Sequence, residues 1–217
     1  MIQLFNVIEI DPFRYSKEKY EIPELSDLSN SEDLHERWQK AIATLNLNLD
    51  SIKIGSYFVD IENVDDENLK IILKVVFEDS EIEGTDFLAL FNGGLILMEN
   101  NEILIEPTCC SDLENLRDWQ YIFENNSSGW SQLWIGHPWV FYKKENGMIQ
   151  FSNYSDLNLN EFLDIKPIFE IDESNLRIEF EKVNQQQIKF KIKISEILKK
   201  MKIDDSERIS ELMTGVK

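Results

Sequence analysis

The central segment, residues 93–156, reads GGLILMENNEILIEPTCCSDLENLRDWQYIFENNSSGWSQLWIGHPWVFYKKENGMIQFSNYSD. It holds both cysteines of the chain, four of the five tryptophans and one of the two histidines. These residues do not have the spacing of a metal site, a phosphate-binding loop or a catalytic triad. The segment therefore predicts a recognition surface or a packing core, and no reaction follows from it.

Short apolar runs of this segment alternate with turn residues, which predicts strands joined in hairpins. Asn100-Asn101 lies between two such runs, and Asn146-Gly147 lies between two more. Asn-Gly is the strongest hairpin signal of the chain, because both residues accept a positive φ. A further turn is predicted at Asn92-Gly93-Gly94. The expected strands are residues 95–98, 103–105, 133–135, 139–142 and 148–151.

A helix is predicted over residues 112–123. Ser111 and Glu114 have the spacing of a capping box, in which each side chain accepts a hydrogen bond from a free backbone amide. Apolar residues then recur at helical spacing, as expected for one buried face. They are Leu113, Leu116, Trp119 and Phe123.

Patterns on both sides of the central segment predict further elements. Residues 2–10 predict a strand, and residues 34–45 repeat apolar side chains at helical spacing behind Asp33 and Glu36. Two more hairpins are expected from β-branched or alternating runs, namely 52–61 with 69–77 and 176–182 with 188–194. One or two short helices are expected between residues 195 and 213.

Hairpin turns outnumber credible βαβ units, so the expected fold is α+β, a mainly antiparallel, hairpin-built sheet with several helices packed on one face. The length of 217 residues and the 42% hydrophobic content suffice for one large core. We expect a main α+β domain over residues 1–156. Residues 157–217 form a C-terminal hairpin with helices, either as part of that domain or as a subdomain.

The formal charge of −19 restricts the classes of partner. Nucleic-acid binding is not expected, because phosphate contacts need clustered Lys and Arg. A basic protein partner fits the charge, although a high charge also serves solubility alone. Without a secretory leader or a long apolar run, we expect a cytoplasmic protein with no membrane partner. No cofactor is expected, because the spacing of a metal site or a phosphate-binding loop is absent.

The adjacent cysteines are the first candidates for chemistry. Cys110 precedes a predicted helix start, where the helix dipole favours a thiolate, so it is the best candidate nucleophile. A cysteine enzyme also needs a base, and buried structural cysteine is common. A metal site from Cys109, Cys110 and His137 is disfavoured, because adjacent cysteines are expected to point in diverging directions. Both thiols are expected to be reduced.

The aromatic residues of the segment can form a core or an interface. We expect most of them to be core: Trp119, Trp130, Trp134, Trp139, Phe141 and Tyr142. Gly136 and Pro138 flank His137 and predict a defined loop that presents this histidine. A structural histidine is the simpler interpretation of His137.

Four motifs resemble the immunity domains of bacterial polymorphic toxin systems, in the broad SUKH-like group: FLALFNGG, EPTCCSDLENLRDW, WSQLWIGHPWVFY and NGMIQFSNY. In that group, an acidic helix, a two-glycine turn, a strand, a helix and an "IG" strand follow one another. Asn92-Gly93-Gly94, the helix at 112–123 and Ile135-Gly136 match this order. The resemblance covers the central third of the chain.

The resemblance implies a non-enzymatic protein that binds and neutralises the toxic domain of a cognate effector, which in this class is often a basic nuclease. An acidic inhibitor would associate quickly with such a domain and with strong salt dependence. We assign the contact to an acidic edge, which consists of Asp65, Asp66, Glu67, Glu78, Asp79, Glu81 and Glu83.

Two other classes remain open. A small cytosolic enzyme would use Cys110 as a nucleophile and would need a deep pocket beside it. A structural or scaffold subunit would use the aromatic cluster as core and would form an obligate oligomer with a large apolar interface.

Overall fold

A computed structural model describes residues 1–17, 31–79 and 91–216 and confirms the α+β fold class. The strands are β1 Ile2–Glu9, β2 Phe58–Asp60, β3 Gly93–Glu99, β4 Glu102–Ile105, β5 Ser131–Leu133, β6 Val140–Glu145, β7 Met148–Phe151 and β8 Phe169–Asp172. The helices are α1 Ser31–Ala43, α2 Asp66–Asp79, α3 Leu116–Glu124, α4 Glu173–Lys200 and α5 Ser206–Thr214.

The strands form two four-stranded sheets, with the orders β2-β1-β3-β4 and β5-β6-β7-β8. Both predicted asparagine turns are confirmed. Asn100 and Asn101 have φ values of 50° and 68° between β3 and β4, and Asn146 and Gly147 have 52° and 78° between β6 and β7. These positive φ values match the turn that a two-residue antiparallel hairpin requires.

The chain divides into two compact units. The first contains residues 1–6, 92–188 and 216, and the second contains residues 7–91, 189–215 and 217. The core of the first unit includes Leu97, Trp119, Ile149 and Phe151, each almost completely buried. In the second unit, the indole of buried Trp38 donates a hydrogen bond to the Ile10 carbonyl at 2.8 Å. The N-terminal strand and the helix around Trp38 are confirmed as predicted.

The predicted C-terminal hairpin, residues 176–182 with 188–194, is wrong, because both runs lie in α4. In a strand, the alternating residues Ile188, Phe190, Ile192 and Ile194 would share one face. In the helix, Phe190 and Ile194 are buried, whereas Ile192 is 50% exposed. Residues 183–187 contain neither Gly nor Pro, so no turn interrupts the helix.

The helical period of α4 is visible only over a longer stretch of the sequence. Buried residues recur at every third or fourth position along one stripe, which is the period of a helix. They are Leu176, Phe180, Val183, Gln187, Phe190, Ile194 and Ile197. Gln187 is the polar member of this stripe. Its carbonyl oxygen accepts a hydrogen bond from the Asn6 amide at 2.5 Å, and its amide donates to the Leu113 carbonyl at 2.8 Å.

The predicted hairpin of residues 52–61 with 69–77 is also wrong. Within 52–61 the strand β2 covers only Phe58–Asp60, and residues 69–77 belong to α2. Lys70 and Lys74 are exposed four residues apart, and Leu69, Ile72, Leu73 and Val76 are buried, so the run has a helical period. Its β-branched content suggested a strand, but burial of one helix face outweighs that weak preference.

Two local predictions in the central segment need correction. Gly93 and Gly94 begin β3 with φ values of 148° and 137°, so they do not form a turn. A Cβ on Gly94 would lie 3.0 Å from the Asn115 side chain, so this glycine allows a close approach. The predicted helix is confirmed, but Asp112, and not Ser111, provides the cap by accepting from the Glu114 amide at 2.8 Å. A short 3-10 turn, Leu113–Asn115, precedes α3.

We predict that Ile194→Ala lowers the free energy of unfolding by about 2–4 kcal/mol, because it leaves a cavity at a buried position. Ile192→Ala, two residues away, should cost less than about 1 kcal/mol, because Ile192 is half exposed. Urea denaturation of the two variants measures the difference. Equal losses would contradict the helical assignment, since a strand places both side chains on one face.

We predict that Gln187→Met destabilises the protein by about 1–3 kcal/mol, because methionine leaves the buried Asn6 amide and Leu113 carbonyl without these partners. Gln185→Met is the matched control, since Gln185 is exposed on the same helix. Chemical denaturation of both variants tests this. A Gln187→Met protein as stable as the control would show that the two hydrogen bonds do not contribute.

Candidate functional site

Two turns of the first unit are tied together by backbone hydrogen bonds. One contains Cys109-Cys110, and the other is the segment 134–139. The Thr108 amide donates to the Ile135 carbonyl at 2.7 Å, and the His137 amide donates to the Cys109 carbonyl at 2.9 Å. The Thr108 hydroxyl lies 2.8 Å from the Pro138 carbonyl, to which it can donate. These bonds hold the two turns in one arrangement.

Gly136 is required for this arrangement. Its φ is +100°, which L side chains rarely adopt. A Cβ at this position would lie 2.5 Å from the Cys109 carbonyl oxygen and 2.6 Å from the Thr108 carbonyl oxygen. The prediction of a defined loop around His137 is therefore confirmed, with glycine needed for both its backbone angle and its close contact.

His137 lies on the outer side of this loop, and its side chain is about half exposed. Its Nδ1 atom lies 3.4 Å from the Asp156 carboxylate. Its ring also packs edge-on against Trp139, with 5.0 Å between ring centroids, and Trp139 in turn lies 5.9 Å from Trp134. Trp134 is 38% exposed. The loop thus presents an imidazole and an indole to solvent.

The cysteines do not diverge as the sequence suggested. Cys109 and Cys110 are both exposed, neither forms a disulfide, and their Sγ atoms lie 3.2 Å apart. Within residues 1–17, 31–79 and 91–216, no three His, Cys, Asp or Glu side chains are grouped so that they could hold a metal ion.

Most of the aromatic set is core, as predicted. Trp119, Trp139, Phe141 and Tyr142 are buried, whereas Trp134 is exposed and Trp130 is intermediate.

A neighbouring loop of the first unit, residues 157–168, exposes large aliphatic side chains, and we call it the apolar loop. The exposed side chains are Leu157, Leu159, Leu163 and Ile168. Leu163 is fully exposed, at 107% of its reference area. Single exposed apolar residues are common, but several on one short loop make it a candidate interaction surface.

The apolar loop is anchored to the second sheet. The Trp139 indole donates a hydrogen bond to the Leu157 carbonyl at 3.2 Å. The Phe162 ring packs edge-on against Phe141 of β6, with 5.4 Å between centroids. The Glu161 carboxylate accepts from the Asn158 amide at 2.6 Å and closes a short 3-10 turn. Buried aromatic residues therefore hold a loop whose aliphatic side chains face solvent.

The predicted acidic edge lies along α2 of the second unit. Asp65 caps this helix by accepting from the Asn68 amide at 2.8 Å. Asp66 is paired with Lys193 and Lys200, at 3.5 Å and 3.6 Å. Glu67 in the first turn and Glu78 in the last turn are exposed. Asp79 ends the helix, and Glu81 and Glu83 lie outside the described residues.

The structure does not gather the described members of the acidic edge at one point. Asp66 and Glu78 belong to opposite ends of α2, and a helix rises about 1.5 Å per residue, so they are roughly 18 Å apart. Asp65-Asp66-Glu67 lies between the two runs of the hairpin expected over 52–61 and 69–77, and it is in fact a helix start, where negative charge is favoured by the helix dipole. Part of this acidity therefore has a structural role.

A second acidic group surrounds the start of α3, beside the cysteine turn. Burial, together with the smaller effect of the negative charges of Asp112 and Glu114, raises the pKa of Asp118 from 3.8 to about 6. Burial also raises the pKa of Asp112 itself. Near neutral pH, ionisation of Asp118 therefore lowers the stability of the folded protein.

Comparison with family models, with curated proteins and with solved structures found no match to this chain. The resemblance to SUKH-like immunity domains therefore stays a prediction. None of the helices in the described parts of the chain has the length and apolar character needed to cross a membrane.

We predict that Asp118→Asn stabilises the protein near neutral pH. The folded-state pKa is raised, so folding favours the protonated carboxyl, and this contribution is lost as pH rises from about 4 through about 6. Partial exposure screens the effect, so the gain over wild type should be about 1 kcal/mol at pH ~7 and close to zero at pH ~4. Urea denaturation at both pH values measures it.

Asp164→Asn is the matched control, because Asp164 is exposed and the substitution is the same. A gain for Asp118→Asn that is independent of pH, or that the control shares, would contradict the assigned cause.

Proposed function

We propose that the protein is a non-enzymatic immunity protein, which binds and neutralises a cognate toxin domain. The observation that supports this most is the apolar loop, residues 157–168, with its four exposed aliphatic side chains. Large apolar side chains in water are unfavourable, and a partner that covers them gains about 25 cal/mol per Å² of buried apolar area. We assign the anchor of the contact to this loop.

Preorganisation supports the same assignment. Binding to a mobile loop loses affinity, because the loop must be ordered in the complex. Here the loop is already held by Trp139 and Phe162 through the contacts described above. Trp134, exposed on the neighbouring turn, adds the residue type most enriched in binding hot spots. The surface thus combines aliphatic side chains, an indole and a fixed backbone.

Charge indicates the chemistry of the partner. Asp156, Glu161 and Asp164 are exposed within or beside the apolar loop, and the whole chain carries a formal charge of −19. A partner with a basic rim around an apolar centre matches this surface, in the way that interfaces usually combine an apolar core and a polar rim. Complementary charge acts mainly on the association rate.

The acidic residues of α2 contribute to binding through long-range attraction of a basic partner. Asp65 and Asp66 have partners inside the fold, so their replacement would disturb α2 as well as binding. Glu67 and Glu78 are exposed on the same helix and are better probes of steering. We propose that they raise the rate of encounter, whereas the apolar loop determines the lifetime of the complex.

The test is calorimetric titration of the purified chain with the C-terminal domain of the protein encoded next to it. Wild type should bind tightly, with weaker binding at high salt. Leu163→Ser should weaken binding by about tenfold or more, because it removes a central apolar contact. It should leave folding unchanged, since Leu163 makes no buried contact to lose. Ile54→Ser, at an exposed apolar residue of the second unit, is the matched control.

The double variant Glu67→Lys, Glu78→Lys should slow association and reduce the salt dependence, with little change in the dissociation rate. Stopped-flow mixing separates the two rates. No heat at either salt concentration would exclude this partner and would count against the proposed immunity function. Tight binding that Leu163→Ser does not change would exclude the apolar loop as the anchor.

A further inference from the structure

The two cysteines form a chemical feature that the proposed function does not use. Cys109 and Cys110 are adjacent in the chain, both are exposed, and neither forms a disulfide. Their Sγ atoms are in contact at 3.2 Å. They are the whole thiol content of the protein. Thiol reactivity requires access to solvent, and both cysteine residues are exposed.

The backbone explains why the two sulfur atoms converge. Cys109 forms a β-bridge with His137, so it is part of an extended segment. In an extended chain the next side chain points to the opposite side. Cys110 instead has a φ of +70°, in the left-handed region, which breaks this alternation. The Ser111 amide donates to the Thr108 carbonyl at 3.2 Å and closes the turn around the pair.

The turn is also held from outside. The Cys109 carbonyl accepts from the His137 amide, and Thr108 is bonded to both Ile135 and Pro138. These contacts fix the backbone of Thr108 and Cys109. The two thiols are therefore presented together, and their proximity does not depend on a chance rotation of a flexible loop.

We infer that Cys109 and Cys110 are a reversible modification site, in which a low-molecular-weight disulfide such as glutathione disulfide oxidises the pair to an intramolecular disulfide. Both cysteines lie outside the apolar loop. This inference is therefore independent of the proposed immunity function.

The exchange is balanced in two steps. In the first, one cysteine thiolate attacks a sulfur of glutathione disulfide, the glutathione S–S bond breaks, and one glutathione leaves as a thiolate. In the second, the other cysteine thiolate attacks the protein sulfur of this mixed disulfide and forms the Cys109–Cys110 bond. The second glutathione then leaves. Two protein thiols are oxidised, one glutathione disulfide is reduced, and the two thiol protons end on the two glutathione molecules.

Contact between the sulfur atoms favours the second step over accumulation of the mixed disulfide, because the attacking thiol is already beside the sulfur it must reach. An isolated exposed cysteine lacks this second step and retains its glutathione. The two behaviours differ in mass, so they can be separated without any assay of activity.

The experiment treats the reduced full chain with glutathione disulfide, quenches the reaction with acid and measures the intact mass. The wild type is expected to lose the mass of two hydrogen atoms, with no retained glutathione, and to recover its original mass in dithiothreitol. Peptide mapping should place the bond between Cys109 and Cys110. Cys109→Ser and Cys110→Ser are the matched variants, and each is expected to retain one glutathione.

A wild type that retains one or two glutathione molecules, as the single variants do, would overturn the inference, because the thiols would then react independently. A disulfide-linked dimer as the main product would overturn it as well.

Phenylarsine oxide gives a second readout that involves no oxidation. Two neighbouring thiols bind its arsenic together and release the arsenic oxygen as water. Wild type should therefore bind one arsenic per chain at least tenfold more tightly than either single variant. Equal affinity in wild type and the single variants would show that the two sulfur atoms do not act as a pair.

Discussion

The buried stripe of α4 is the constraint on which much of the fold depends. A helix of this length, Glu173–Lys200, spans roughly 40 Å at 1.5 Å per residue, and its stripe is buried along most of that span. Apolar contacts in such a stripe are not directional, so hydrophobic burial alone does not specify which residues of the helix face which partners. Gln187 is different, because its amide must meet two partners at once. Its hydrogen bonds to Asn6 and Leu113 fit a single register of the helix.

The same helix explains where prediction from sequence failed. Over a short window, the alternation from Ile188 to Ile194 favours a strand, and only the repeat across the whole helix shows the period of 3.6. In α2 the exposed pair Lys70 and Lys74 had the right spacing, but many β-branched neighbours masked it. The two asparagine turns were predicted better than these helices. Asn100-Asn101 and Asn146-Gly147 determine their conformation locally, through residues that accept a positive φ.

The candidate site was predicted in part. The loop around His137 could be predicted from its neighbours, because Gly136 permits a positive φ and Pro138 fixes its own φ. The apolar loop was missed, because aliphatic residues in a polar segment suggest burial, and only the three-dimensional structure shows that Leu163 is exposed. The position of the two sulfur atoms was also missed. It depends on the φ of Cys110, and sequence patterns do not favour a cysteine in the left-handed region.

The division of the chain into units has a consequence for how this protein could have been assembled. The first unit takes residues 1–6 and 92–188, and the second takes residues 7–91 and 189–215. Each is therefore discontinuous in sequence, and no single cut of the gene yields either one whole. During synthesis, the ribosome releases Met1–Asn6 long before the rest of their unit exists. Fusion of two ancestral domains end to end leaves both units continuous, and insertion of one coding segment into another leaves the inserted unit continuous, so neither event alone produces this interleaved order.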